Sequence, residues 1–224
     1  MTSPEMLRRV PLFSDLPDEY LEKLARVAVK KTYPKDNVIF FEQDEGDSLF
    51  IIARGSVKIA KISNEGKEVI LAILGLGEFF GDMSLLDGLP RSATVIAVEE
   101  TEVSSIRRKE FISLINDNPL IAVKLLSVLS QRLRDANSKI GNLALLDVYG
   151  RLARILMDFA KIEGRKLENG KIAFRRPTHQ AIANMIGTSR ETVTRTLGDL
   201  HRRGYIQISG KEIIIKDQFQ RDFI

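Results

Sequence analysis

The segment Thr178-His-Gln-Ala-Ile-Ala-Asn-Met-Ile-Gly-Thr-Ser-Arg-Glu-Thr-Val-Thr-Arg-Thr-Leu constrains this chain more than any other. Thr178 is placed to cap a first helix whose Ile182, Met185 and Ile186 share one face. Ala183 is small where two helices must approach closely, and Gly187 supplies a left-handed turn. Ser189 then caps a second helix that turns Val193, Leu197 and Leu200 inward. The opposite face of that helix carries Arg190, Glu191, Thr194 and Arg195, which project together. A guanidinium fork matches O6 and N7 of guanine, and a carboxylate accepts from the cytosine amino group. A helix of this kind fits the major groove. The spacing therefore predicts a helix-turn-helix that reads G·C base pairs, although any one of these charges taken singly is an ordinary solvated residue.

Two alternating runs in Tyr205-Ile-Gln-Ile-Ser-Gly-Lys-Glu-Ile-Ile-Ile flank Ser209-Gly210, a hairpin signal. A hairpin directly after a recognition helix is a wing, and its tip residues Ser209 and Lys211 are candidates for phosphate contact. Lys211 is equally suited to be a solvated turn lysine. The formal net charge of +4 says little by itself. Between 175 and 216, however, the basic side chains Arg175, Arg176, Arg190, Arg195, Arg202, Arg203, Lys211 and Lys216 outnumber the acids Glu191, Asp199 and Glu212.

Upstream the period changes. Pro17 and Asp18 open a short amphipathic helix with Leu21, Leu24, Ala25 and Val27 at helical spacing. From 37 to 106, short runs rich in β-branched and aromatic residues (38–41, 49–53, 57–62, 69–74, 93–98) alternate with glycines 46, 55, 66, 75, 77, 81 and 88. That pattern predicts an antiparallel barrel or roll, with Asn64-Glu65-Gly66 as a hairpin turn. After Phe111, Leu114 and Ile115, Pro119 opens a long helix on which Leu126, Leu129, Leu133, Ala136, Ile140 and Leu143 alternate steps of three and four. The narrow stripe, flanked by Arg132, Arg134, Asp135 and Lys139, fits a homodimer seam. The same stripe also fits a helix packed on its own barrel. Asp147 and Gly150 mark a hinge before another helix over 151–161. The expected division is 1–118, 119–146 and 147–224.

The chain has 224 residues, no cysteine and two histidines, His179 and His201. Disulfides, thiolate-bound zinc and iron–sulfur clusters are thereby excluded, and a histidine-rich metal site is disfavoured. No run approaches the roughly 18 apolar residues needed to span a membrane, and Met1–Val10 lacks a signal-peptide pattern. The expected location is the cytoplasm. No nucleophile–base pair stands out, so the chain does not read as an enzyme.

The other dense stretch is Gly77-Glu-Phe-Phe-Gly-Asp-Met-Ser-Leu-Leu-Asp-Gly-Leu-Pro-Arg-Ser-Ala-Thr-Val. Gly81 permits close backbone approach to a ligand. Arg91 beside Ser92 and Ala93 offers a cation and aligned amides to an anion, and Asp82 can accept from a hydroxyl. Taken alone, Arg91 is as compatible with a surface arginine after a turn, and Asp82 with a turn carboxylate.

From Leu12 to Lys216 the chain resembles the cAMP receptor protein/FNR family of bacterial transcription regulators. The Gly-Glu-Phe…Gly-Asp…Pro-Arg-Ser-Ala stretch is similar to that family's phosphate-binding cassette. Ser189-Arg-Glu-Thr-Val-Thr-Arg resembles its recognition helix, and Gly141-Asn-Leu-Ala-Leu-Leu-Asp-Val-Tyr-Gly-Arg its hinge. The resemblance implies an α+β fold: a cyclic-nucleotide-binding antiparallel β-roll (double-stranded β-helix), a long dimerisation helix and a winged helix-turn-helix. It implies that Arg91 and Ser92, with Ala93, hold a cyclic phosphate, and that Gly81 and Asp82, with Met83, meet the ribose. Ile59, Leu71 and Leu74 would line the apolar side, and Arg132 would approach the ribose-binding carboxylate. Arg190, Glu191 and Arg195 would read a TGTGA-like half-site beside Thr194. Thr178, Gln180 and Ser209 would meet backbone phosphate, with His179 and Lys211 in the same DNA-binding set. Double-stranded DNA, a second copy of the chain and RNA polymerase are the implied partners of an allosteric activator.

The chain departs from the family pattern in two respects. Family members that bind cAMP usually carry glutamate where Asp82 stands, and a Thr-Ser pair where this chain has Ala136 and Asn137. Ala136 has no hydroxyl, while Asn137 can both donate and accept. The effector expected first is cAMP, with cGMP or a cyclic dinucleotide as alternatives, and no covalent cofactor. A constitutive regulator with a vestigial pocket is a second reading. A regulatory subunit acting by protein contact is a third, although it has no need of the helix-turn-helix.

Overall fold

The computed structural model describes residues 3–167, 170–216 and 219. They fall into two compact units, Met1–Leu133 and Arg134–Ile224. The long helix, expected to stand apart as 119–146, is divided between them.

In the first unit, α1 (Pro4–Arg8) and α2 (Asp18–Val27) precede β1 (Val29–Tyr33), β2 (Val38–Phe40), β3 (Ser48–Arg54), β4 (Val57–Ile62), β5 (Glu68–Leu74) and β6 (Phe79–Phe80). A short α3 (Asp82–Asp87), β7 (Thr94–Ala97), β8 (Thr101–Arg107) and α4 (Arg108–Asp117) follow, then α5 (Leu120–Leu145). The strands form two four-stranded antiparallel sheets, ordered β1-β8-β3-β6 and β2-β7-β4-β5. Successive side chains of a strand face opposite ways. On β3, Leu49 and Ile51 join the helices in a core with Leu21, Phe111, Ile121 and Leu125. Ile52 instead packs with Tyr33, Val57, Leu74, Phe80, Val95 and Val103 inside the roll. Burial on both faces explains why β3 reads as a nearly continuous apolar run rather than an alternating one. The β4–β5 hairpin closes at the predicted turn, where Gly66 has φ +77° and donates to the Ser63 carbonyl.

In the second unit, α6 (Val148–Glu163) leads to β9 (Arg165–Lys166), β10 (Ile172–Arg175), α7 (His179–Ile186), α8 (Arg190–Arg202), β11 (Ile206–Ser209) and β12 (Glu212–Ile215). The four strands make one antiparallel sheet, β11-β12-β10-β9. Leu152, Leu156, Ile182, Ala183, Ile186, Val193, Leu197, Leu200, Ile206 and Ile213 form its core. The amphipathic spacing read from the sequence therefore places the right residues inside.

Gly150, read with Asp147 as marking a hinge, lies in the first turn of α6, its N–H donating to the Asp147 carboxylate at 2.8 Å. The interruption narrows to Leu146 and Asp147, and even there Arg151 Nη1 donates to the Leu146 carbonyl at 2.9 Å. Asp147→Ala is expected to cost about 1 kcal/mol, the usual worth of a helix N-cap. Unfolding of the variant followed by circular dichroism checks this, and an unchanged midpoint would show the cap to be dispensable. Among the described residues, no single helix is long and apolar enough to cross a membrane.

Candidate ligand pocket and nucleic-acid interface

The cassette is built by glycines. Gly81 (φ +79°) and Gly88 (φ +74°) bound α3 with left-handed residues that L side chains rarely adopt. A Cβ on Gly81 would lie 2.6 Å from Arg91 Nη1, and one on Gly46 only 2.3 Å from Arg91 Nε. The arginine thus occupies a slot that only glycines leave open.

Arg91 is 4% exposed, which rules out the surface-arginine reading. Its Nη1 donates to the Gly81 carbonyl at 2.9 Å and its Nη2 to the Ser48 carbonyl at 3.0 Å. Its guanidinium carbon sits 4.3 Å from the Phe40 ring centroid and 5.5 Å from that of Phe50. Burial pulls its pKa down, and Asp47, Asp44 and Asp82 oppose that shift. Asp82 is equally buried, with one carboxylate oxygen accepting from Arg132 Nη1 at 2.9 Å. Arg132 also donates to the Phe79 carbonyl and lies over the Phe79 ring, 4.6 Å from its centroid. Among the described residues, Arg91 Nε and Asp82 Oδ2 are buried without a hydrogen-bond partner. One is a charged donor and the other an anionic acceptor. They suit a ligand that pairs an anion with a hydroxyl.

The other expected pocket residues divide. Ala93 is buried, whereas Ser92 is exposed, its hydroxyl 3.4 Å from the exposed Met83 sulfur. Ile59 and Leu74 pack on the interior of the roll. Leu71 does not: it is 40% exposed, on the face of β5 opposite Ile70 and Leu74. The expectation that all three line one surface is corrected by strand alternation. Ala136 and Asn137 are exposed on α5. The sequence reading missed Phe40, Phe50 and Gly46. A signal for them existed in the glycine inside Asp44-Glu-Gly-Asp47, but strand pairing alone brings it under Arg91.

The stripe along α5 also divides. Leu129 packs against the core of its own unit. Leu126, Leu133, Ile140 and Leu143 are 63%, 62%, 65% and 53% exposed.

In the second unit the three local signals are all in place. Thr178 accepts from the Ala181 N–H at 3.1 Å and Ser189 from the Thr192 N–H at 3.2 Å, while Gly187 has φ +65°. Arg190, Glu191, Thr194 and Arg195 are all exposed on α8. Asp199, four residues beyond Arg195, is engaged instead by Arg203 at 2.8 Å and Arg202 at 3.5 Å. Among the described residues, no ion pair holds Arg190 or Arg195. Glu191 is kept below the usual carboxylate range by its own backbone N–H and the Ser189 hydroxyl, so it stays anionic. His179 Nδ1 lies 2.7 Å from the Thr194 hydroxyl, which joins α7 to α8, and burial with Arg176 and Arg190 lowers its pKa. Ser209, Gly210 and Lys211 form the exposed tip of the β11–β12 hairpin. Sequence reasoning missed Arg151, whose Nε donates to the Ile186 carbonyl at 3.0 Å and secures the end of α7.

Residues 30–118 match the cyclic nucleotide-binding domain family, and residues 150–219 match the Crp-like helix-turn-helix domain. Over 214 residues the chain is 34% identical to the CRP-like cAMP-activated global transcriptional regulator of Mycobacterium tuberculosis (strain CDC 1551 / Oshkosh), 95% of each chain being covered. The chain belongs to the CRP/FNR family. This CRP/FNR protein is also 33% identical over 207 residues to the cyclic AMP receptor protein of Thermus thermophilus, covering 92% of its own length and 93% of the relative. Among solved structures, the c-di-GMP responsive global regulator CLP of Xanthomonas campestris matches it with a TM-score of 0.78 at 26% identity. That match covers 89% of the CRP/FNR chain and 99% of CLP. The CRP/FNR protein is accordingly a DNA-binding transcription regulator with a cyclic nucleotide-binding domain as its sensor.

Proposed function

We propose that the regulator is a homodimer that reads an inverted repeat of TGTGA-like half-sites and tunes its DNA affinity through a purine cyclic mononucleotide, cAMP first. The functional divisions are a sensor (1–118), a dimerisation helix (119–146) and a DNA-binding domain (147–224). The observation that carries the sensor reading is the buried pair Arg91 and Asp82, each with one unpartnered polar atom. Arg91, with the adjacent Ser92, holds the cyclic phosphate, and Asp82, oriented by Arg132, accepts from the ribose hydroxyl. Cyclic AMP ranks first because relatives covering nearly the whole chain are named for it. Ala136 and Asn137, which lack the hydroxyl pair of cAMP-binding family members, keep cGMP and a cyclic dinucleotide as the comparators.

The exposed leucines and isoleucine along α5 supply an apolar strip that a second copy covers. In the DNA-binding domain, Arg190, Arg195 and Glu191 meet base edges, while Thr178, Gln180, Ser209 and Lys211 meet the backbone and His179 stands beside them. RNA polymerase is the partner such a regulator meets at a promoter. The ligand acts only so far as it binds the DNA-competent arrangement more tightly than the other. Calorimetry against cAMP, cGMP and cyclic di-GMP, paired with duplex titrations at fixed salt, tests the proposal. Saturable binding of one nucleotide that also shifts DNA affinity is the expected result. Equal DNA affinity with and without every nucleotide that binds would remove the switching claim.

A further inference from the structure

Between Arg190 and Arg195 on α8 stands Thr194, whose hydroxyl is already committed inside the protein. Its Oγ1 lies 2.9 Å from the Arg190 carbonyl, and His179 Nδ1 lies 2.7 Å away on the other side. A hydroxyl has one proton to give. The proton serves the Arg190 carbonyl or, in the other imidazole tautomer, His179 Nδ1; in both cases the oxygen lies within hydrogen-bond distance of the two protein groups. The oxygen is therefore turned back towards its own helix and towards α7, and the methyl group holds the other staggered position of an exposed side chain. What Thr194 offers the major groove is a methyl, not a hydrogen bond.

We propose that Thr194 reads the 5-methyl group of one thymine in each half-site by apolar contact, with His179 as the positioning residue that locks its rotamer. This rests on the reading of α8 as the recognition helix and adds to it a base-specific role for a side chain without charge. Apolar contact with the thymine methyl is the one feature of a T·A pair that threonine can recognise without its hydroxyl. The arrangement needs both partners: a shorter residue at 179 would leave the Thr194 oxygen a free acceptor, able to rotate outward and meet an amino group instead.

The test is equilibrium binding of the full-length protein, in saturating cAMP, to duplexes in which each thymine of both half-sites is replaced in turn by uracil, which lacks only the methyl. The wild-type protein is expected to lose about four-fold in affinity per half-site at one thymine position, the worth of one methyl group removed from water. Thr194→Ser keeps the hydroxyl and both of its bonds but lacks the methyl, and is expected to bind the thymine and uracil duplexes alike. Thr194→Val keeps the methyl and is expected to retain the uracil penalty. His179→Ala is expected to narrow the penalty. A wild-type protein indifferent to every uracil replacement, or a serine variant that keeps the penalty, overturns the proposal. A full penalty in His179→Ala overturns the positioning role. A protein that prefers the inverted repeat over a scrambled duplex yet ignores uracil loses only this inference, whereas one that prefers neither loses the recognition-helix reading with it.

Discussion

Replacing Arg91 with leucine is expected to abolish nucleotide binding and to destabilise the N-terminal unit at the same time. Leucine removes the charged donor proposed for the cyclic phosphate. It also orphans the Gly81 and Ser48 carbonyls, which now accept from Nη1 and Nη2, and strips the cation from the faces of Phe40 and Phe50. Hydrogen bonds from a charged donor contribute roughly 1.5–3 kcal/mol each, and leaving their buried partners unsatisfied costs a similar amount. Offset by leucine's own apolar burial, the net loss is about 3 kcal/mol, or roughly 6–12 °C in Tm for a protein of this size. The exposed neighbour Ser92 separates the two effects. Ser92→Ala should weaken nucleotide binding and leave the unfolding midpoint in place. Calorimetry and thermal unfolding of both variants decide the matter. Intact nucleotide affinity in Arg91→Leu would refute the phosphate role, and an unchanged midpoint would refute the structural one.

That double role was not legible in the chain, and the reason is physical. Arg91 spends its donors on backbone carbonyls, which carry no side-chain signature, and its slot comes from Gly46 and Gly81, 35 positions apart. Only strand pairing brings them together, Phe50 of β3 lying opposite Phe80 of β6 beside the cassette. The helix-turn-helix was legible because each of its signals is local. Thr178, Gly187 and Ser189 act within three or four residues of themselves, as their hydrogen bonds and φ values show. The stripe on α5 was only half legible. A heptad pattern gives the direction a side chain takes around the helix but not what covers it, and the structure gives Leu129 to its own core while leaving Leu126 and Leu133 exposed. Strands β1 and β6 escaped notice for a related reason. Both are edge strands; β1 is exposed at four of its five positions and β6 is two residues long, so neither builds a periodic signal.

Arg195→Ala is expected to weaken binding to the cognate duplex by about 1–3 kcal/mol per half-site and to relax preference at a single base pair. The structure favours base readout over a backbone contact for two reasons. Arg195 lies on the same exposed face of α8 as Arg190 and Glu191, rather than at the capped end of α7 or the tip of the wing. The nearest carboxylate with helical spacing on its C-terminal side, Asp199, is held by Arg203 and Arg202, and among the described residues no ion pair joins Arg195 to Glu191 on its N-terminal side. On the proposed reading the guanidinium would reach the groove without a competing anion to surrender, and two parallel hydrogen bonds to one guanine would offset the cost of desolvating it. In the proposed homodimer the change occurs twice, so the loss on a full inverted repeat should approach double that on a single half-site under the same salt. Competition titrations of the variant against cognate and scrambled duplexes give the answer. If affinity for both fell by the same factor, Arg195 would be neutralising phosphate, and the sequence information would have to enter through Arg190, Glu191 and Thr194 alone.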